Sequence, residues 1–180
     1  MDEQYWMKKA IVEAKKALKY DEVPIGCVIV KDNQIIARGS NRRETKQRSI
    51  AHAEIIAIEK ACRKLGSWRL DDCDLYVTLE PCPMCAGAII QSRIRRVVFG
   101  AYDPKGGCVG SCTNLFAVPG FNHYPSYEGG ILQPECSALL SDFFRKKTEI
   151  AKRAKKTRSA IGLRRSFSYD CSDSRKSGMI

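Results

Sequence analysis

His52, Glu54, Cys82 and Cys85 are the residues of this chain whose types and spacing suit chemistry. The first two stand in His52-Ala53-Glu54, and Pro81-Cys82-Pro83-Met84-Cys85 follows after 26 intervening residues. Two thiols three apart on the first turn of a helix converge on one ion, and the helix N-terminus favours their thiolate form. An imidazole brought from a preceding helix makes three protein ligands. The fourth position of a tetrahedral zinc is then open to water, as in a catalytic site and unlike a closed structural one. Water bound there ionises near neutral pH and becomes a nucleophile. A carboxylate beside it that is not itself a ligand can take the proton and pass it to a leaving group. The set therefore reads as one Zn2+ per chain on His52, Cys82 and Cys85, with Glu54 moving the protons of a hydrolysis. A competing reading pairs Cys82 and Cys85 with Cys108 and Cys112, whose C-x3-C spacing completes a four-cysteine structural site. It leaves Glu54 without a role, and also His52, one of only two histidines in the chain.

These residues need elements to carry them. Trp6, Ala10, Ala14 and Leu18 recur at helical spacing between lysines, which predicts an amphipathic helix over residues 3–19. Gly26 to Val30 and Gln34 to Ala37 are apolar, β-branched runs joined by Lys31-Asp32-Asn33, the pattern of a hairpin. A polar loop from Gly39 to Ser49 contains Asn41, and a second helix begins near His52 and runs to Lys64. Leu75 to Leu79 reads as a buried strand leading into the Cys82 motif, where a proline suits the first turn of a third helix. Arg96 to Gly100 is another strand, and Tyr102 to Gly130 reads as one long functional loop, rich in Gly, Pro and aromatics, that lines a substrate groove. A basic helix from Glu135 to about Lys156 closes the pattern. Strands alternating with helices after an initial hairpin predict an α/β fold, and ligands in such sheets collect where strands end and helices begin.

The chain has 180 residues, room for one core and one site. A domain over 1–157 and a basic to polar disordered tail over 158–180 are expected from the loss of apolar periodicity near the end. No apolar run approaches the roughly 18 residues of a membrane span, and the acidic start lacks the basic and apolar regions of a signal peptide. An odd number of cysteines, nine, without an export signal fits a reducing cytoplasm. The net charge of +11 is concentrated: Arg145 to Arg165 holds ten basic residues against Glu149, and the rest of the chain carries only +2. A basic arm on a nearly neutral body suits a phosphate backbone, because phosphate contacts release counterions and steer association; the same charges also suit a solvated helix face.

Together, H-x-E and P-C-x-x-C resemble the signature of the zinc nucleobase deaminases. With the Asn41 loop and Ser92-Arg93-Ile94-Arg95-Arg96-Val97-Val98-Phe99-Gly100, the chain over about residues 4–155 resembles the bacterial tRNA-specific adenosine deaminases. Glu22 to Gly26, Pro119 to His123, Glu128 to Leu132 and Asp142 to Arg145 add to the likeness. The resemblance implies a three-layer α/β/α cytidine-deaminase-like fold with a central mixed sheet of about five strands. It implies a homodimer, a tRNA anticodon stem-loop as partner, and conversion of adenosine to inosine at the wobble position by attack of zinc-bound hydroxide on adenine C6. It further implies that Asn41 and the Ala53 backbone N–H hold the flipped base, and that Asp103, Asn122, His123, Phe144 and Arg145 contact the substrate. On residue type alone, Asn41 equally suits a turn, His123 a surface loop, Phe144 a core and Arg145 a surface. The segment Gln47 to Ala51 departs from the acidic, Pro-containing version usual in that family, and the tail after about Lys156 has no counterpart in it.

Two other functions stay open at this point. Free-base deaminases acting on guanine or cytosine share both motifs, and Cys62 to Gly66 with Leu70 to Cys73 is similar to guanine deaminases. A free base, however, has no phosphates for the basic arm to meet. A zinc-stabilised RNA-binding module without catalysis would need only the arm and a closed metal site.

Overall fold

The computed structural model describes residues 2–166, with side chains described as far as residue 157. Five strands form one sheet in the order β2-β1-β3-β4-β5, with α-helices on both of its faces. β1 (Gly26–Lys31) is antiparallel to both β2 (Gln34–Ser40) and β3 (Asp74–Leu79); β4 (Arg96–Ala101) runs parallel to β3, and β5 (Ser126–Gly129) parallel to β4. This is the three-layer mixed sheet that the resemblance implied.

The first helix, α1 (Glu3–Ala17), is capped by the Asp2 side chain, which accepts from the Gln4 N–H. Its stripe of Trp6, Met7 and Ala10 packs on Val28, Val30, Tyr76 and Val98 at one face of the sheet. On the other face α3 (Ala53–Leu65) and α4 (Pro83–Gln91) bury Ala57, Ala61, Ile89 and Ile90 against Ile29, Leu75, Val77, Val97 and Phe99. A fully buried Leu or Phe of this kind contributes about 1.5–3 kcal/mol. The hairpin between β1 and β2 turns on Asp32 (φ 49°) and Asn33 (φ 55°), both left-handed, as the tight two-residue turn with the right twist requires.

Several expectations are corrected. The strand expected to stop at Ala37 continues to Ser40, because backbone pairing with β1 holds Arg38-Gly39-Ser40 without any apolar pattern. The loop after it contains a single helical turn, α2 (Arg43–Lys46). The segment Tyr102 to Gly130 is not one loop. It contains a bridge between Val109 and Asn114, a 3-10 turn at Leu115–Ala117 and strand β5. β5, Ser-Tyr-Glu-Gly, is largely exposed and shows no alternation, so its ladder with β4 alone makes it a strand.

The last helix, α5 (Gln133–Ser166), starts before Glu135 and passes the boundary expected at residue 157. The rest of the tail expectation, residues 167–180, lies outside the described residues. The described residues divide into two compact units, one ending at Ser141 and the other beginning at Asp142. In the second unit Phe144 is exposed and packs edge-on against Phe143, and Arg145 pairs with Asp142 at 2.8 Å. No described helix is long and apolar enough to cross a membrane.

Candidate metal and active site

One end of the sheet gathers the chemistry. The register pairs Gly26 with Ser40 and Cys27 with Val77, so the end of β2, the start of β1 and the end of β3 coincide. Asn41 follows β2 directly, and its N–H donates to the Ile25 carbonyl at 3.1 Å. The Arg42 N–H donates to the Ala51 carbonyl at 3.0 Å, which ties this turn to the residue before His52. β3 ends at Leu79, and Glu80-Pro81 leads into Cys82, the N-cap of α4, with Pro83 in the helix's first turn.

Gly39 sets how closely α3 approaches. A Cβ on Gly39 would lie 2.0 Å from the Ala53 carbonyl oxygen, so only glycine lets β2 touch the first turn of α3. His52 is the N-cap of that helix in an extended conformation and makes no side-chain cap hydrogen bond. Its ring is therefore free to face the thiols, and the first-turn N–H groups, Ala53's among them, lack a side-chain cap.

His52 Nδ1 stands 3.7 Å from Cys82 Sγ and 3.5 Å from Cys85 Sγ. Ligand atoms of these three residues lie within 4.8 Å of one another, and among the described residues they form the only such cluster of three or more His, Cys, Asp or Glu. One imidazole and two thiols at this separation fit zinc, whose ligand bonds of about 2.0–2.3 Å would close around a shared centre. Cys108 and Cys112 do not join it: their thiols meet the Gly106 and Pro104 carbonyls instead.

The three side chains shift one another's proton affinities. The hydrogen bond from Cys85, then that from His52, pulls the Cys82 thiol down to about 4 against its burial. The same bond to Cys82, with burial, drives the Cys85 thiol upward. The bond to Cys82 also raises His52, burial opposing it. A cation bound by both thiols would need them deprotonated and so would release protons on binding.

Glu54 is 3% exposed, and burial holds its carboxyl above the usual glutamate range against its own backbone N–H and His52. Its Oε2 and the Oδ1 of Asn41, which is 2% exposed, are buried without a hydrogen-bond partner. Among the described residues they are the only buried side-chain polar atoms in that condition. Such orphaned acceptors cost about 1–3 kcal/mol each, a cost that a bound donor would remove.

The other candidates separate. The Asp103 backbone N–H donates to Glu80 at 3.0 Å, just beyond the end of β4, while its carboxylate accepts from the Lys105 N–H. His123 Nε2 donates to the Ile94 carbonyl at 2.6 Å, before the start of β4 and so at the other end of the sheet, with exposed Asn122 beside it. Phe144 and Arg145 belong to the second unit.

Two residues escaped the sequence reading. Glu80, 2% exposed, accepts from the N–H groups of Asp103, Val109 and Ser111. Glu22, 1% exposed, accepts from the Thr45 N–H at 2.7 Å and its hydroxyl at 2.8 Å, fixing α2. Each stands beside a motif, but only the folded loops reveal what it holds.

This fold and this cluster define a deaminase. The pattern of the MafB19-like deaminases matches residues 1–148. A tRNA-specific adenosine deaminase of Bacillus subtilis (strain 168) is 55% identical over 154 residues, which is 86% of this chain and 96% of the relative. A solved structure from work on A-to-I editing by tRNA:A34 deaminases at the wobble position of transfer RNA is 48% identical. It has a TM-score of 0.73 and covers 76% of this chain and 99% of that one. A guanine deaminase of Bacillus subtilis is also similar, at 38% identity and a TM-score of 0.56 over 71% of this chain and 85% of that one. The chain belongs to the MafB19-like deaminases by its family pattern and to the tRNA-specific adenosine deaminases by its likeness to their sequences.

Proposed function

We propose that this protein deaminates adenosine to inosine at the wobble position of a tRNA anticodon, using a zinc ion held by His52, Cys82 and Cys85. The observation that carries the reading is the pair of orphaned buried acceptors, Asn41 Oδ1 and Glu54 Oε2, at the same end of the sheet as the His-Cys-Cys cluster. The substrate is supported by a relative 55% identical and a solved structure 48% identical in sequence. Zinc would supply the Lewis acidity that makes water a nucleophile near neutral pH.

The protein's own groups do the rest. Glu54 takes a proton from the attacking water, returns it to adenine N1, and moves the second proton to the departing amine, so that adenosine and water become inosine and ammonia. Its raised affinity for protons suits it to both halves of that transfer. Asn41 Oδ1 accepts from the nucleoside, and the uncapped Ala53 N–H donates to it. An anticodon loop is a fitting substrate because its unpaired bases can be splayed into a pocket at little unpairing cost. The basic residues from Arg145 onward meet its phosphates, with Asp103, Asn122, His123, Phe144 and Arg145 as further contacts. In a homodimer, residues at the far end of one chain's sheet, such as Asn122 and His123, need not act on that chain's own site. The reading places the enzyme in the cytoplasm with its tRNA.

The second reading, a free-base deaminase, is favoured by the guanine deaminase likeness. Purified protein offered guanine, cytosine and an adenosine-containing anticodon stem-loop separates the two. Inosine in the stem-loop is expected; guanine or cytosine turnover without inosine would overturn the proposal.

A further inference from the structure

Between the end of β4 and the 3-10 turn at Leu115–Ala117, the chain runs through residues 102–114 beside the metal ligands. The Cys108 N–H donates to the Pro81 carbonyl at 2.9 Å, one residue before Cys82. Val109 and Phe116 are buried in the same core as α3 and α4, which anchors the far side of this segment. Its near side, from Asp103 to Gly106, is half-buried or exposed and has no such apolar anchor. Bonds within the segment, from the Gly107 N–H to the Asp103 carbonyl and from the Cys112 thiol to the Pro104 carbonyl, shape the near side, and Glu80 ties it to the end of β3. Carboxylate Oε2 accepts from the Asp103 N–H at 3.0 Å and from the Ser111 hydroxyl, while Oε1 accepts from the Val109 and Ser111 N–H groups at 2.9 and 3.0 Å. The cradle is closely fitted, since a Cβ on Gly107 would lie 2.3 Å from the carboxyl carbon.

We propose that Glu80 is a positioning residue for substrate binding: its carboxylate fastens the Asp103 end of the 102–114 segment to the end of β3, and so fixes the rim of the site that an RNA loop must enter. The proposal rests on the reading that the substrate is an anticodon loop. Its physical basis is independent of that reading. Four donors converge on one carboxylate, and a carboxylate has acceptor capacity for all of them. A glutamine has not. Turned to keep the Val109 and Ser111 N–H bonds, its single oxygen serves those two and its NH2 faces the Asp103 N–H, donor against donor; the Ser111 hydroxyl alone can rotate to accept. Glu80→Gln therefore releases Asp103 selectively and leaves residues 109–111 in place.

The test compares the native holoenzyme with Glu80→Gln in three measurements: zinc content, backbone amide exchange by mass spectrometry, and steady-state kinetics on an adenosine anticodon stem-loop. With zinc content native, exchange over residues 102–106 should accelerate about tenfold while residues 108–112 stay protected. KM for the stem-loop should rise about tenfold, with kcat within about twofold. Native exchange over 102–106 overturns the proposal, as does faster exchange with native KM, which would leave Glu80 a purely structural anchor. So does a loss confined to kcat. Should Glu80→Gln fail to fold, Gly107→Ala displaces the whole carboxylate, so exchange should accelerate over residues 102–112 together with a rise in KM, and native exchange or native KM there overturns the proposal. If even the native enzyme forms no inosine, the proposed function fails, and the exchange measurement still decides whether Glu80 holds Asp103.

Discussion

Gly39 of β2 and Ala53 of α3 approach so closely that a single methyl group on Gly39 would fall 2.0 Å from the Ala53 carbonyl oxygen. The contact fixes where α3 begins against the sheet, and hence where its N-cap His52 and its first-turn Glu54 stand relative to Cys82 and Cys85. Gly39→Ala should force β2 and α3 apart at a cost of about 1–3 kcal/mol. For a chain of this size that is a fall in melting temperature of about 2–12 °C. A thermal melt checks it, and zinc affinity should fall with it, since the ligand set spans the same contact.

Glu22 ties α2 to the chain just ahead of β1, and through α2 orients the Asn41 turn. Burial raises its carboxyl, but the bonds from the Thr45 N–H, the Thr45 hydroxyl and the Glu44 N–H outweigh burial and leave it below the usual glutamate range. A carboxyl lowered in the folded state adds stability above its unfolded pKa, about 4.3, and loses it as pH falls through the folded value. Glu22→Ala should therefore cost about 1–3 kcal/mol near pH 7, where it orphans the Thr45 N–H. Its deficit against the native chain should narrow below about pH 4. Urea unfolding at pH 7 and at pH 3.5 measures both.

Among the metal ligands, Cys82→Ala removes one of the two sulfurs and His52→Ala the ring that meets both. Each should reduce zinc to well below one per chain, whereas Cys108→Ser with Cys112→Ser should leave it at one. Metal analysis of purified variants reads this directly. Zinc loss in the double variant would restore the four-cysteine structural site.

The basic arm has its own signature. Lys152, Arg153, Lys155 and Lys156 are exposed on α5. Replacing all four by Gln should weaken stem-loop binding and flatten its salt dependence by about 0.7 for each phosphate that is no longer neutralised, with zinc content and melting unchanged. A titration of affinity against salt measures the slope; an unchanged slope would remove the arm from the RNA interface.

Legibility in the sequence followed the range of the interaction. His52, Cys82 and Cys85 stand out because each belongs to a local motif, and the structure brings them within 4.8 Å of one another. Helices α1, α3 and α4 and strands β1 to β4 were visible because apolar periodicity is local too. β5 was not, since its residues are exposed and its pairing with β4 is made 30 residues away. Glu22 and Glu80 read as ordinary acids: their burial is created by Thr45 and by the 103–111 backbone, 23–31 residues on. His123 and Asp103, grouped by resemblance, lie at opposite ends of β4, a separation that motif spacing does not encode.

The central claim is that Glu54 moves protons in a zinc-dependent deamination, and Glu54→Gln tests it most directly. Gln keeps the side chain's volume and one acceptor but cannot carry the proton. The variant should hold native zinc and native stem-loop affinity while its rate of inosine formation falls about 10²–10⁴-fold. Inosine formation at the native rate, with zinc bound, would contradict the account.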